Sequence, residues 1–348
     1  MTVTSLIKKS RLGSRSCHPL WRVLFYGSDT FSLTSLKLLN DNRMTSPCRG
    51  HTGLGRTSQP CVIGTLEVVC TKLKGPIVDY TIREQIQVRQ WPFQVPRNTF
   101  DIGVVVSFGR MISSTDIEAC KYGMINVHPS LLPRWRGAAP LVHTLLAGDA
   151  LSGISIITVA PKRFDTGKIV MQHEVPVPPV VDLPSYSAMM AKIGSNLLLT
   201  CLKDLPSLLS KASPQSADGI TKAPKVTKEM GMIHWNGDSC EYLQRLYRAV
   251  SNFVDITTLW KGSPVKLYNM VSADELVNAK VDELVQVKEL GPGYCYYHPK
   301  RRLLCIRCLD GWVAFREISI KSHRRMTATD FNCGFLQKTP AEERYFVS

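Results

Sequence analysis

Apolar and polar positions fall into two regimes along the chain. Residues 21–26, 61–70, 101–106, 123–128 and 154–159 are short apolar runs that read as strands, while apolar residues recur at helical spacing over 31–39, 81–88, 141–146 and 185–202. The run from Ile102 to Val106 carries no polar position, as a strand covered on both faces requires. Strands alternating with helices predict an α/β domain with a Rossmann-like, mostly parallel sheet. Beyond residue 240 the pattern changes. A helix is predicted over 241–250, followed by short strands at 265–269, 281–287, 294–297, 303–308 and 312–318, separated by turns rich in Gly, Pro and charge. Such spacing predicts a small OB-like β-barrel. Residues 211–219, with Ser213, Pro214, Ser216 and Gly219, read as a linker. The expected division is a leader over 1–20, a catalytic α/β domain over 21–210, a linker over 211–230 and a barrel domain over 231–348.

Composition adds three constraints. The hydrophobic share is 44%, no apolar run is long enough to span a bilayer, and no membrane association is expected. The net charge is +15; Lys+Arg against Asp+Glu is 23 to 13 over residues 1–210 and 20 to 15 thereafter, so the halves carry +10 and +5. Cationic surfaces on both domains point to a polyanionic partner, nucleic acid or an acidic membrane. Lys8, Lys9, Arg11 and Arg15 precede the first acidic residue, Asp29, which is the composition of a mitochondrial leader or of a merely basic tail. Residues 40–60 form a polar, basic loop or insertion. The 11 cysteines are scattered except Cys305 and Cys308, which on a strand face opposite ways; with no second ligand pair, no metal is expected, and free thiols fit a reducing compartment.

Candidate chemistry concentrates in residues 126–140. Asn126 and His128 are two apart, so on a strand they share a face. An amide can hold a developing oxyanion and an imidazole can move a proton near neutral pH, a pairing suited to carbonyl chemistry. Only Gly27 stands in the turn after the first strand, so the Gly-x-Gly-x-x-Gly cradle of a nicotinamide enzyme is absent. Ligands of parallel sheets sit beyond the carboxyl ends of the strands. Residues 107–112 occupy one such end and the 126–140 motif the next. The strand over 154–159 is expected to supply a third such end and leads into a loop containing Asp165, which can meet His128 and orient its ring, or can instead cap a turn with Thr166 and Gly167.

Asn126, His128, the run Ser130-Leu131-Leu132-Pro133-Arg134-Trp135-Arg136-Gly137-Ala138-Ala139-Pro140 and Asp165-Thr166-Gly167 resemble the signature of the folate-dependent formyltransferases. The resemblance extends from Val23 to about Val347 and includes Lys222-Ala223-Pro224-Lys225-Val226 and Ile233-His234-Trp235. Residues 134–140, with a basic barrel, are most similar to the branch acting on methionyl initiator tRNA. The resemblance implies formyl transfer from 10-formyltetrahydrofolate to the methionyl α-amine in mitochondrial translation initiation, in the matrix, by a monomer. It implies catalytic roles for Asn126, His128 and Asp165. It sets the folate against Phe108, Gly109, Met111 and Ile112 and against Ser130, Leu131, Leu132 and Pro133. The tRNA would meet Lys72, Lys74, Arg134 and Arg136 on the first domain, and Lys300, Arg301, Arg302, Arg324 and Arg325 on the barrel. Three stretches depart from the family: 40–60 has no counterpart, 71–76 is shorter than in bacterial members, and 161–164 is more basic. Formyl transfer to a small amine, hydrolysis of formyl-folate and tRNA binding without catalysis are the competing readings. Charge on both domains weighs against the first, and the complete Asn, His, Asp set against the last.

Overall fold

The structure, a computed structural model, describes residues 20–43, 61–285, 290–321 and 323–348. The expected leader, except residue 20, and residues 44–60 of the insertion lie outside the described residues. The first half contains β1 (Trp21–Tyr26), α1 (Thr30–Asp41), β2 (Ile63–Cys70), α2 (Pro76–Arg83), β3 (Gln87–Gln90), β4 (Ile102–Val105), α3 (Ser114–Ala119), β5 (Met124–His128), β6 (Arg136–Gly137), α4 (Pro140–Ala147), β7 (Leu151–Thr158), β8 (Ile169–Pro176), α5 (Leu183–Lys203) and α6 (Leu205–Ser210). Seven of its strands form one sheet in the order β3-β2-β1-β4-β5-β7-β8. β1 to β5 of that order pair in parallel, whereas β7 runs antiparallel to β5 and to β8.

Both faces of this sheet are covered, which explains the unbroken apolar runs. Val23 and Phe25 of β1 join Leu36 and Leu39 of α1 and Met190 and Leu198 of α5 in one core, while Leu24 and Tyr26 join Phe100, Phe108 and Met124 on the other face. The first helix starts where the sequence supplies a cap: the Asp29 carboxylate accepts from the Ser32 backbone N–H at 2.9 Å. Gly103 is required at the centre, because an added Cβ would lie 2.4 Å from the Met124 side chain.

The second half contains β9 (Lys222–Ala223), α7 (Cys240–Val250), β10 (Ile256–Trp260), β11 (Ser263–Met270), α8 (Ala273–Val277), α9 (Val281–Leu284), β12 (Cys295–His298), β13 (Leu303–Arg307), β14 (Trp312–Ile320), β15 (Met326–Thr327), α10 (Ala328–Phe331) and β16 (Phe346–Val347). The antiparallel order is β12-β13-β14-β11-β10-β16, with β15 on β14. A bridge between Tyr294 and Tyr345, just ahead of β12 and β16, joins the two ends of this order and closes the sheet on itself. Trp235 fills its interior, stacked on Phe346 and donating from Nε1 to Thr258 Oγ1 at 2.8 Å. The halves share one apolar core through Val142 and Leu145 of α4 and Leu243, Leu246 and Val250 of α7.

Four expectations change. The helix expected over 81–88 lies earlier: Pro76 opens α2, and Gln85, at φ 54°, ends it before β3. The strand expected over 281–287 begins instead as α9, because Asp282 and Glu283 suit a helix's first turn and Asp282 accepts from Trp312 Nε1 at 2.8 Å; residues 286–287 lie outside the described residues. β7 was expected to end beside the carboxyl ends of the parallel strands. Being antiparallel, it ends at the opposite edge, and the 159–168 connection closes a β7–β8 hairpin that folds back towards β5. The 211–219 linker is tied down: Ser213 exchanges backbone hydrogen bonds with Ile169, and Lys222–Ala223 pairs with Arg136–Gly137. Among the described residues no helix is long and apolar enough to cross a membrane.

Arg22 fastens β1 to the approach to β4. Its backbone N–H, Nε and Nη2 donate to Asp101 and its Nη1 to the Asn98 carbonyl, and the bonds from Arg22 hold the Asp101 carboxyl below the usual carboxylate range. Since the folded value lies below the unfolded one, the stabilisation is complete above the unfolded value and is lost as pH falls through the folded one. Arg22 is half-exposed, so salt weakens the effect. The melting temperature of Asp101→Asn should fall short of the parent at neutral pH, and the gap should close as pH drops below the carboxylate range.

Candidate active site

β5 presents the two residues expected to work together. Its alternation buries Ile125 and Val127 in the core on the α5 side, which turns Asn126 and His128 to the other side. Asp165 arrives from the β7–β8 hairpin and meets both: Asn126 Nδ2 donates to its Oδ1 at 3.2 Å, and His128 Nδ1 lies 3.5 Å from the same oxygen. The other oxygen accepts from the Gly137 backbone N–H at 2.9 Å. His128 is 4% exposed, and its Nε2 lies 2.9 Å from the Trp135 carbonyl oxygen. A carbonyl can only accept, so Nε2 carries the proton in the neutral ring and Nδ1 is the nitrogen that faces Asp165.

Two glycines make this approach possible. Gly137 sits at φ 131° with its Cβ direction blocked at 2.4 Å by the Ala223 carbonyl, and any Cβ on Gly167 would fall 1.6 Å from the Thr158 carbonyl oxygen. Asp165 itself adopts φ 55°, in the left-handed region, and its carboxylate accepts from Asn126 and Gly137 instead of only closing its own turn.

The residues expected at the donor wall divide in two. Phe108 and Ile112 are buried; Phe108 packs edge-on against Tyr26 and Trp91, with ring centroids 5.1 and 5.3 Å apart. Gly109, at φ 68°, has open space where a Cβ would stand, and Met111 is 39% exposed. Ser130 and Leu132 are buried as well: Ser130 Oγ donates to the Arg134 carbonyl at 2.6 Å, and Leu132 packs inward. Leu131 and Pro133 are half-buried beside them. Ser155, from β7, organises this turn by donating to the Ser130 carbonyl and accepting from the Leu132 N–H, and Gln172 bonds both Ser155 and the Leu132 carbonyl. Neither Ser155 nor Gln172 carries a spacing signal that would reveal it in sequence.

The expected tRNA contacts also divide. Lys72 and Lys74 are exposed beyond the carboxyl end of β2, at a cleft of about 190 Å³ that Ser28, Thr71 and Ile77 help to line. Arg134 and Arg136 each already have a side-chain partner within the protein. Arg134 forms a two-pronged pair with Asp149 at 2.8 and 2.6 Å and lies 4.3 Å over the Trp135 ring, whose Nε1 also donates to Asp149 at 2.7 Å. Arg136 donates twice to Gln215 Oε1. On the barrel, β13 and β14 run antiparallel with Leu304 opposite Phe315, so the turns holding Lys300, Arg301 and Arg302 and holding Arg324 and Arg325 open at the same end. All five are exposed; Arg325 also pairs with Glu317 and stacks over Tyr268. Cys305 and Cys308 are buried free thiols, and burial pushes the Cys305 thiol up to about 12. Among the described residues no three His, Cys, Asp or Glu side chains gather as a metal would need.

Residues 92–202 match the family model described as formyl transferase, and residues 225–336 the model of the formyl transferase C-terminal domain. The chain belongs to the formyl transferase family. Within that family it is 38% identical to the mitochondrial methionyl-tRNA formyltransferase of Homo sapiens, over 94% of this chain and 82% of that one. Its fold is shared with the N-formyltransferase of Helicobacter canadensis solved with folinic acid and dTDP-3-aminofucose, at TM-score 0.55 and 13% identity over 85% of this chain and 99% of that one. The same fold is found in HypX of Aquifex aeolicus solved with tetrahydrofolic acid, at TM-score 0.54 and 14% identity; the match covers 92% of this chain but 48% of HypX, so this chain spans about half its length.

The family's signature run is thus braced from below by Asp149. Its carboxylate takes three bonds while 13% exposed, so Asp149→Ala should destabilise the protein by about 1–3 kcal/mol in a denaturant titration.

Proposed function

We propose that the chain transfers a formyl group from 10-formyltetrahydrofolate to the α-amine of methionyl initiator tRNA in mitochondrial translation initiation, with Asn126, His128 and Asp165 carrying the transfer. The observation that supports this most is a single carboxylate shared by an amide, an imidazole and a backbone N–H, in a chain 38% identical to a mitochondrial methionyl-tRNA formyltransferase across 94% of its length.

The folate donor would lie against Gly109, Met111, Leu131 and Pro133, the accessible part of the wall, with Phe108, Ile112, Ser130 and Leu132 fixing its shape from behind. Open space at Gly109 beside an aromatic cluster suits a flat ring system. The donor supplies the formyl carbon. Asn126 retains a second amide proton beyond the one given to Asp165, and with protonated His128 it stabilises the oxygen that gains charge as the amine adds to that carbon. As the new carbon–nitrogen bond forms and the bond to folate N10 breaks, the His128 and Asp165 pair relays the proton from the amine to N10. Asp165 meanwhile fixes the imidazole's orientation.

Lys72 and Lys74 would meet the acceptor end of the tRNA, and the basic end of the barrel its backbone phosphates. Arg134 and Arg136 act by shaping the site rather than as free cations. His128→Ala should lower formylation of methionyl initiator tRNA by about 10² to 10⁴-fold with the fold intact; a parent rate would contradict the roles assigned. Binding of the tRNA should weaken linearly in the logarithm of salt concentration, and replacing Lys72 and Lys74 together by Ala should make that slope shallower by about 2. An unchanged slope would remove both lysines from the interface.

A further inference from the structure

The segment joining the two sheets passes directly over the signature run. Ser213 is paired with Ile169 at the base of the β7–β8 hairpin, with backbone bonds of 2.8 and 3.1 Å. Thr221 accepts from the Trp135 N–H on its hydroxyl at 2.8 Å and from the Arg136 N–H on its carbonyl at 3.0 Å. Lys222–Ala223 then pairs with Arg136–Gly137. Between these anchors stands Gln215, half-buried, whose side chain uses all its near partners on the site. Its Nε2 donates to the backbone carbonyls of Asp165 at 2.8 Å and Gly167 at 2.9 Å, while its Oε1 accepts from Arg136 Nε at 2.9 Å and Nη2 at 2.6 Å.

We propose that Gln215 is a positioning residue that holds the Asp165 loop in its working conformation. The inference rests on the catalytic role assigned to Asp165 above. A non-glycine residue at φ 55° persists only where its surroundings fix it, and the loop also carries Lys162 at φ 68°. The two bonds from Gln215 grip the backbone on both sides of Thr166 and so fix the peptide that carries Asp165. The same side chain grips Arg136, whose neighbour Gly137 donates to the Asp165 carboxylate. One amide thus ties together the linker, the hairpin loop and the signature run, the three segments that set where the carboxylate stands. The amide is well suited to this: a donor for two carbonyls and an acceptor for a guanidinium in a single planar group.

The test is steady-state formyl transfer by the full chain, with Gln215→Ala and Gln215→Glu. The glutamate keeps an acceptor for Arg136 but has no N–H for the two carbonyls. Both variants should lose about tenfold to a hundredfold in kcat, since a displaced catalytic group costs that much, while KM for the tRNA and the melting temperature stay near those of the parent. Parent-like kcat in either variant overturns the proposal. So does a loss confined to KM, which would make Gln215 an acceptor-binding residue, or a loss that tracks a lowered melting temperature. His128→Ala measured alongside separates the two levels: if it is active, the reading of the constellation fails; if it is inactive while the Gln215 variants are fully active, only the positioning role fails.

Discussion

The site depends on the Asp165 carboxylate being shared. One oxygen faces Asn126 and His128, the other the Gly137 N–H, so β5, the β7–β8 hairpin and the signature run are held in register by a single group. The surrounding fold serves that arrangement. The reversal of β7 puts the hairpin loop within reach of β5, Gly167 lets the loop close against Thr158, and Gly137 lets the signature run lie under Ala223. A charge-assisted acceptor surrounded by donors is stronger than neutral hydrogen bonds, which is why a strained backbone at Asp165 is tolerated.

Much of this was legible in the chain itself, and the reasons are local. Alternation on β5 fixes Asn126 and His128 to one face whatever surrounds them, and the unbroken run at 102–106 fixes a doubly covered strand. Asp165 meets His128 because the hairpin folds back towards β5, and not through the parallel strand end that its place in the sequence suggests. The direction of β7 was not legible, since an interior strand buried on both faces shows the same unbroken apolar run whether its neighbours pair with it in parallel or antiparallel. Residues 281–284 show the complementary ambiguity: a short apolar pattern fits strand or helix, and the acidic first turn with the Trp312 contact decided it.

The partnerships hidden at the site share one cause. Ser130, Arg134 and Arg136 stand in the run that resembles the family signature, and polarity or charge invites a reading as ligand contact alone. Their partners, Ser155, Asp149 and Gln215, lie far off in sequence, so nothing in the run itself announces that these groups are already bonded. Gln215 sits in a stretch of linker composition and is hidden for the same reason. A polar stretch with Pro and Gly looks unstructured until the segment it crosses is known. Lys72 and Lys74 and the two basic turns at one end of the barrel stay exposed, Arg325 with its Glu317 partner included, and they keep the cationic character that the net charge of +15 foreshadows.

The shared carboxylate is tested most directly by the single-turnover rate of formyl transfer in Asp165→Asn, with donor and methionyl initiator tRNA both saturating. The substitution preserves size while removing the charge that orients His128, so the rate should fall by about a hundredfold or more with tRNA affinity unchanged. A rate equal to that of the parent would contradict the account.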